Sequence, residues 1–182
     1  MQNINLPKQL STTTIYESEW ICLYADRVQM PDGSVIEHYH RLHYPNESVC
    51  VVIFNERDEI LLIRSKRYIT GRLEWEIPAG RIENGETAEI AAARECLEET
   101  GCSLRDMTYL CLQNPCNGAA DLHMHVYAAR VETECSSLDE NEVGEKRWFA
   151  REQIKEMLKN NEIRCGVSML GLLFALTFYK SK

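Results

Sequence analysis

The segment Gly80 to Cys102, GRIENGETAEIAAARECLEETGC, constrains this chain more than any other. Its spacing predicts a helix over 87–100, opened at Thr87 and stopped by Gly101. Side chains four apart on a helix lie roughly 40° apart around the axis, so Glu95 and Glu99 project side by side, with Glu98 on their flank. Ile90, Ala93 and Leu97 fall on the opposite side, which predicts one buried apolar face and one face of carboxylates. Arg94 stands four residues before Glu98 and can pair with it, holding its rotamer. Glu86 lies at the helix start, where negative charge complements the dipole.

Carboxylates held this close repel one another unless a cation sits among them. Hard oxygen ligands of this kind suit Mg²⁺, with Mn²⁺ as a substitute. The chain carries 20 Lys+Arg against 28 Asp+Glu, a formal net charge of −8. So acidic a protein holds an anionic phosphate compound by placing metal between them. Such a metal also polarises the phosphorus centre and activates the attacking water. The bland reading of a Glu-rich helix is a solvated acidic face, and the completeness of the spacing argues against it here. The same charge balance argues against a nucleic-acid partner, which needs a basic footprint.

A length of 182 residues predicts one domain, or one domain with a small appendage, and 45% hydrophobic residues exclude disorder as the main state. None of the eight cysteines forms a C-x-x-C pair, and Met1 to Leu10 lacks the apolar core of a signal peptide. We therefore expect free thiols in a reducing cytoplasm. The longest apolar run, Val167 to Phe178, is shorter than the ~20 residues that span a bilayer, so no membrane partner is expected. His38/His40 and His123/His125 alternate on strands, but neither pair brings a third zinc ligand with it. There is no G-x-S-x-G elbow and no P-loop.

Along the chain, residues 1–14 read as a flexible leader, 15–45 as a small antiparallel β unit turned at Pro31-Asp32-Gly33, and 46–182 as the main domain. Strands are expected over 49–54, 60–63, 73–77, 109–112, 122–131 and 146–149, and helices over 152–159 and 167–179. Strands, helix, strands, helix is the order of a mixed α/β protein of the α+β type rather than a doubly wound parallel sheet.

Gly80, Glu86, Arg94, Glu95, Glu98, Glu99 and Gly101 stand at the offsets Gly, five residues, Glu, seven residues, Arg-Glu, two residues, Glu-Glu, one residue, Gly. This pattern resembles the signature of the Nudix hydrolases. The resemblance implies a mixed β-sheet sandwiched between helices, and cleavage by water and divalent metal of a nucleoside diphosphate linked to another group. It implies Glu95, Glu99, Glu98 and the carbonyl of Ala79 as metal ligands, with Arg94 and Glu86 as orienting residues. Cys96 and Cys102 depart from the bulky aliphatics of the family, so a looser packing edge is expected there.

LLIRSKRYITGRLEWEIPAGRIE and DENEVGEKRWFAREQ resemble the ADP-ribose and nucleotide-sugar pyrophosphatase branch. In that branch the N-terminal β unit packs against a second subunit, which implies a homodimer. A loop glutamate there acts as base for the attacking water: Glu140 is the first choice by position and Glu142 the second. The branch stacks the base on aromatics. Trp20 matches, with Tyr39 or His38 as a second wall, and an ordinary packed strand aromatic is the other reading of Trp20. Arg67 is the preferred phosphate contact over Arg64 and Arg81. Glu76 can accept from an adenine amino group or simply end a strand. The substrate implied is ADP-ribose, split to AMP and ribose 5-phosphate, or a related nucleotide sugar. Asn114-Pro115-Cys116-Asn117-Gly118 stands where the branch has Ser-Pro-Gly, which argues against ADP-ribose as the sole substrate and leaves other nucleotide sugars open; GDP-mannose, a dinucleoside polyphosphate or an oxidised dNTP is the alternative Nudix substrate. A non-catalytic nucleotide sensor is the alternative of another class; all the signature carboxylates being present favours the enzyme.

Overall fold

The computed structural model describes residues 5–135 and 141–180. The chain divides into two compact units. The first runs to Asn46 and takes in Cys116–Leu122; the second comprises Glu47–Pro115 and His123–Lys182.

The first unit is an antiparallel sheet of β1 (Lys8–Glu17), β2 (Cys22–Gln29) and β3 (Val35–His43), in that order. The β2–β3 turn closes through Gly33 N–H to the Met30 carbonyl, with the Asp32 carboxylate accepting from Ser34 N–H at 2.9 Å. Residues 8–14, expected as a loose leader, belong to β1. All ten β1 residues are exposed, so the strand needs no apolar alternation. Its β-branched threonines and its pairing to β2 suffice. Asp26 anchors the sheet by accepting from Arg41 at 2.6 Å, and Arg41 lies over the Tyr24 ring at 4.4 Å. The segment 116–122 docks on β3: Leu42 N–H donates to the Ala119 carbonyl, and the Asp121 carboxylate meets Tyr44 N–H and His43 Nδ1.

The second unit is built on a seven-stranded sheet. Its strands are β4 (Ser48–Phe54), β5 (Ile60–Arg67), β6 (Arg72–Glu76), β7 (Ala79–Arg81), β8 (Cys102–Gln113), β9 (Met124–Glu134) and β10 (Val143–Phe149). The order is β10-β5-β4-β9-β8, with β6 added to β5 and β7 to β4. β4 and β9 run parallel, while the other pairs are antiparallel. α1 (Ala88–Thr100), α2 (Arg151–Lys159) and α3 (Gly166–Phe178) complete the unit. β4 is buried along its whole length, as a strand covered on both faces must be. Its alternation sorts the core. Val51 and Ile53 join Leu61, Cys96 and Cys102 on the α1 side. Val52 and Phe54 join Ile60, Leu62, Ile154 and Leu172 on the side of α2 and α3. This is the mixed α/β architecture expected from the element order, and the sheet between helices that the resemblance implies.

α1 starts where expected. The Thr87 side chain caps Ile90 N–H, and Gly101 adopts the left-handed conformation that ends it, with φ 68°. Its buried face differs from the expectation. Ala91, Ala92, Cys96, Glu99 and Thr100 are buried, whereas Ile90 and Leu97 are 56% and 52% exposed. Small side chains let the helix approach the sheet closely, and that contact rolls Glu99 inward. Cys96 and Cys102 are completely buried rather than forming a loose edge. β8 begins directly after Gly101, earlier than expected. Its polar, partly exposed start, SLRD, hides the strand from a search for apolar alternation. Among the described residues, no helix is long and apolar enough to cross a membrane.

Candidate active site

The stretch between β6 and β7 brings the sheet to the helix. Ile77 N–H donates to the buried Ser168 hydroxyl of α3 at 3.1 Å, and Val51 N–H donates to the Pro78 carbonyl at 3.0 Å. Two residues beyond Ile77, Ala79 N–H donates to Glu99 Oε2 at 2.9 Å. Next comes Gly80, where a Cβ would lie 1.9 Å from Glu95 Cδ. Only a residue without a side chain leaves the Glu95 carboxylate its place.

The two carboxyls brought together here are both out of their usual range. Burial pushes Glu99, 7% exposed, up to about 8; the negative charges of Glu95 and Glu142 add to this, while the Ala79 N–H and the Arg67 charge oppose it. Burial also raises Glu95, against the pull of Arg94. A buried carboxyl among like charges is a group for which a cation is the fitting partner. The available donors are all oxygens, the hard set that Mg²⁺ or Mn²⁺ prefers. Glu98 does not join the pair. Its side chain is exposed and takes Arg94 Nη1 at 3.2 Å. Among the described residues, no three His, Cys, Asp or Glu side chains converge into a metal cage. Mg²⁺ does not require one, since it is usually held by one or two carboxylates together with waters and substrate phosphate oxygens.

Arg94 is the hub of the segment. Nε and Nη2 donate to the two oxygens of Glu86 at 2.8 and 2.9 Å, Nη1 to Glu95 at 2.8 Å, and Nη2 also to the Arg81 carbonyl at 2.9 Å. Glu86 in turn accepts from Glu83 N–H at 3.0 Å, and these bonds, Arg94 first, hold its carboxyl down at about 2. The expected Arg94–Glu98 pair exists, but the bidentate bond to Glu86 is the stronger anchor.

Glu99 forms part of the wall of a cleft of about 640 Å³, together with Glu142, Arg67 and Glu76. Arg67 grips Glu76 bidentately, at 2.9 and 2.5 Å, and Glu76 holds the guanidinium more firmly protonated. The two residues expected to contact phosphate and adenine therefore spend part of their capacity on each other. Arg64, out of phase with Arg67 along β5, instead lies over Trp75 at 5.6 Å and pairs with Glu145 at 3.5 Å. Trp20 and Tyr39 are in the first unit. Trp20 is exposed in the bend between β1 and β2, and the Tyr39 hydroxyl donates to the Gly118 carbonyl at 2.9 Å. Glu140 lies outside the described residues. Sequence reasoning missed Tyr68 at the tip of the β5–β6 hairpin, and Arg164 and Cys165 before α3, all of which line the cleft. They stand in connections without a motif, and the only signal was an aromatic residue in a turn.

His123 and His125 do find a third group: the Glu47 carboxylate bonds His123 Nδ1 at 3.0 Å and His125 Nε2 at 2.7 Å. These bonds, His125 first against an opposing burial contribution, hold the Glu47 carboxyl below its ordinary range.

With the sandwich, the signature helix and its carboxylate pair in place, the class is defined: the chain belongs to the Nudix family, whose NUDIX domain model matches residues 45–165. It is thus an enzyme of the Nudix hydrolase superfamily, and membership implies dependence on a divalent metal. Residues 7–42 match the nucleoside diphosphate sugar hydrolase N-terminal domain. Among its relatives, a CMP-5'-(N-acetyl-N-hydroxy-3-aminopropyl)phosphonate hydrolase of Streptomyces rubellomurinus is 29% identical over 89% of this chain and 78% of that protein. An ADP-ribose pyrophosphatase of Bacillus subtilis is 29% identical over 86% of this chain and 85% of its own length. A solved structure described as an ADP compounds hydrolase superposes with a TM-score of 0.84 at 21% identity, covering 96% of this chain and 95% of that one, a likeness of fold.

Proposed function

We propose that this chain hydrolyses the pyrophosphate linkage of a nucleoside diphosphate derivative, with ADP-ribose, split to AMP and ribose 5-phosphate, or a related nucleotide sugar as substrate. The observation that carries this reading is the buried Glu99 carboxyl, beside Glu95, opening on the same cleft as Arg67, Glu76 and Glu142. Mg²⁺, with Mn²⁺ as substitute, would be held by Glu95 and Glu99 with the Ala79 carbonyl, and Glu98 would reach it directly or through water. Such an ion supplies positive charge to the pyrophosphate and acidifies water. Arg94 keeps Glu95 in place through its anchor on Glu86, and Arg67 offers the cleft a fixed cation. Glu142, or Glu140, takes the proton of the attacking water. Trp20 and Tyr39 are the proposed walls for the base. The Bacillus subtilis relative, named an ADP-ribose pyrophosphatase, supports the choice of substrate.

The exposed β1 strand and the exposed Leu10, Ile15, Tyr16, Val35 and Ile36 make the first unit the proposed homodimer surface. All eight cysteines are free, the state a reducing cytoplasm maintains. The test is a substrate panel of ADP-ribose, GDP-mannose, other nucleotide sugars, dinucleoside polyphosphates and oxidised dNTPs with Mg²⁺ and then Mn²⁺, read in ¹⁸O-labelled water to locate the attack. Highest kcat/KM on a nucleotide sugar is expected. Turnover of oxidised dNTPs alone would overturn the substrate assignment, and a monomer in light scattering would overturn the dimer.

A further inference from the structure

Ser65 carries a hydroxyl that no group in the described structure satisfies. The residue is 3% exposed, and its Oγ has no hydrogen-bond partner. Its backbone is paired on both sides, to Val143 on β10 and to Glu74 on β6. A buried hydroxyl left without a partner is destabilising, so such a group in a folded protein has a reason to be kept. Alternation along β5 places Ser65 on the same face as Leu61 and Arg67, the face turned to α1. There it lines the cleft with Glu99 and Glu142. Glu74 is its neighbour across the strand pair and Glu76 lies one step further along β6. The cleft carries Glu74, Glu76, Glu99 and Glu142 beside Lys66, Arg67 and Arg164, and Glu76 already takes two nitrogens of Arg67. Beside Ser65 itself the cross-strand neighbour is a carboxylate, Glu74, and a neutral polyol can donate to it and accept from the serine.

We propose that Ser65 is a specificity-determining residue, whose hydroxyl donates to a sugar hydroxyl of the bound nucleotide sugar while that sugar hydroxyl donates to the carboxylate of Glu74. This inference deepens the pyrophosphohydrolase reading and rests on it for the choice of ligand.

The experiment compares wild type with Ser65→Ala. Calorimetry with Mg²⁺ measures the affinity for ADP-ribose and for ADP, which lacks the second sugar, each as its non-hydrolysable α,β-methylene analogue. Removal of the hydroxyl should weaken ADP-ribose roughly tenfold, the size of one hydrogen bond to a ligand, and leave ADP within twofold. The melting temperature should stay the same or rise, because an unsatisfied polar group has been removed. In turnover assays KM should rise with kcat within twofold. Equal ADP-ribose affinity in the two proteins, an equal loss for ADP, or a fall in melting temperature would each overturn the assignment. Wild type that binds ADP-ribose without cleaving it would overturn the hydrolase reading and leave the Ser65 assignment standing.

Discussion

Two arginines serve the Glu95–Glu99 pair from different regions of the second unit, and they are used in opposite ways. Arg94 spreads its guanidinium over Glu86, Glu95, Glu98 and the Arg81 carbonyl, in the helix, the turn that precedes it and the end of β7. Arg67, in the sheet wall, gives two nitrogens to one buried carboxylate, Glu76. The first arrangement is a distributed network in which each carboxylate keeps some access to solvent. The second is a closed pair whose glutamate has nowhere else to go. Charge alone does not separate them; what does is the state of the partner once the arginine is gone. Loss of Arg94 releases Glu95, the proposed ligand, whereas loss of Arg67 strands a buried charge.

The largest expected effect lies at the centre of the comparison. Glu99→Gln keeps the shape and removes the charge, and steady-state kinetics should show kcat lower by roughly two to three orders of magnitude, the loss typical of one preorganised electrostatic contact. The fold, followed by circular dichroism, should be intact. Near-normal turnover would contradict the placing of the ion. Arg94→Lys keeps charge but not the planar fork. We expect kcat lower by about 10–100-fold with little change in stability. An equal loss of stability would erase the distinction between network and pair. Arg67→Ala should show the reverse emphasis in urea unfolding, a loss of about 2 kcal/mol, set below the ~3–5 of a fully buried pair because Arg67 is partly exposed. Adding Glu76→Gln should recover most of it.

Glu99 also ties stability to pH. Its carboxyl is raised from 4.5 to about 8, so between those values the folded, metal-free protein binds more protons than the unfolded chain. Stability therefore falls as pH rises through this window, and Mg²⁺ affinity rises over the same range as the proton leaves. Thermal melts with and without Mg²⁺ from pH 5 to 9 check both signs, and a flat metal-free profile would contradict the burial argument. The smallest effect is expected for Thr87→Ala, which removes the helix cap beside Glu86. It should cost about 1 kcal/mol in chemical denaturation. A much larger loss would mean that the cap, rather than the Arg94 network, holds the start of the helix.

Much of this arrangement was legible in the residues. The strict offsets from Gly80 to Gly101 gave the helix, its ends and the Glu95–Glu99 pairing, because a helix converts spacing into direction without help from the rest of the fold. The strand runs around Val49–Phe54 and Ile60–Ile63 were equally plain, being continuous apolar stretches bounded by turn residues. Which face of the signature helix is buried was not legible. Ile90 and Leu97 are the larger apolar side chains, but Ala91, Ala92 and Cys96 permit the closer approach to the sheet, and packing follows shape as well as hydrophobicity. The Arg67–Glu76 grip was hidden for a related reason. It joins neighbouring strands whose register depends on the hairpin between them, and each residue alone looked available for substrate. The exposed β1 strand escaped because an edge with both faces in water leaves no periodic pattern.

The hydroxyl of Ser168 that accepts from Ile77 N–H gives α3 a mechanical share in the site. From Ile77 the backbone needs only two more residues to reach the amide that holds Glu99. A helix with no acidic or basic group of its own is in this way strapped to the seat of a buried acid of the site. Tags, truncations or drift near the C-terminus can then dull the enzyme without touching any substrate atom, and a damaged variant in this stretch should be judged first by whether that strap still holds.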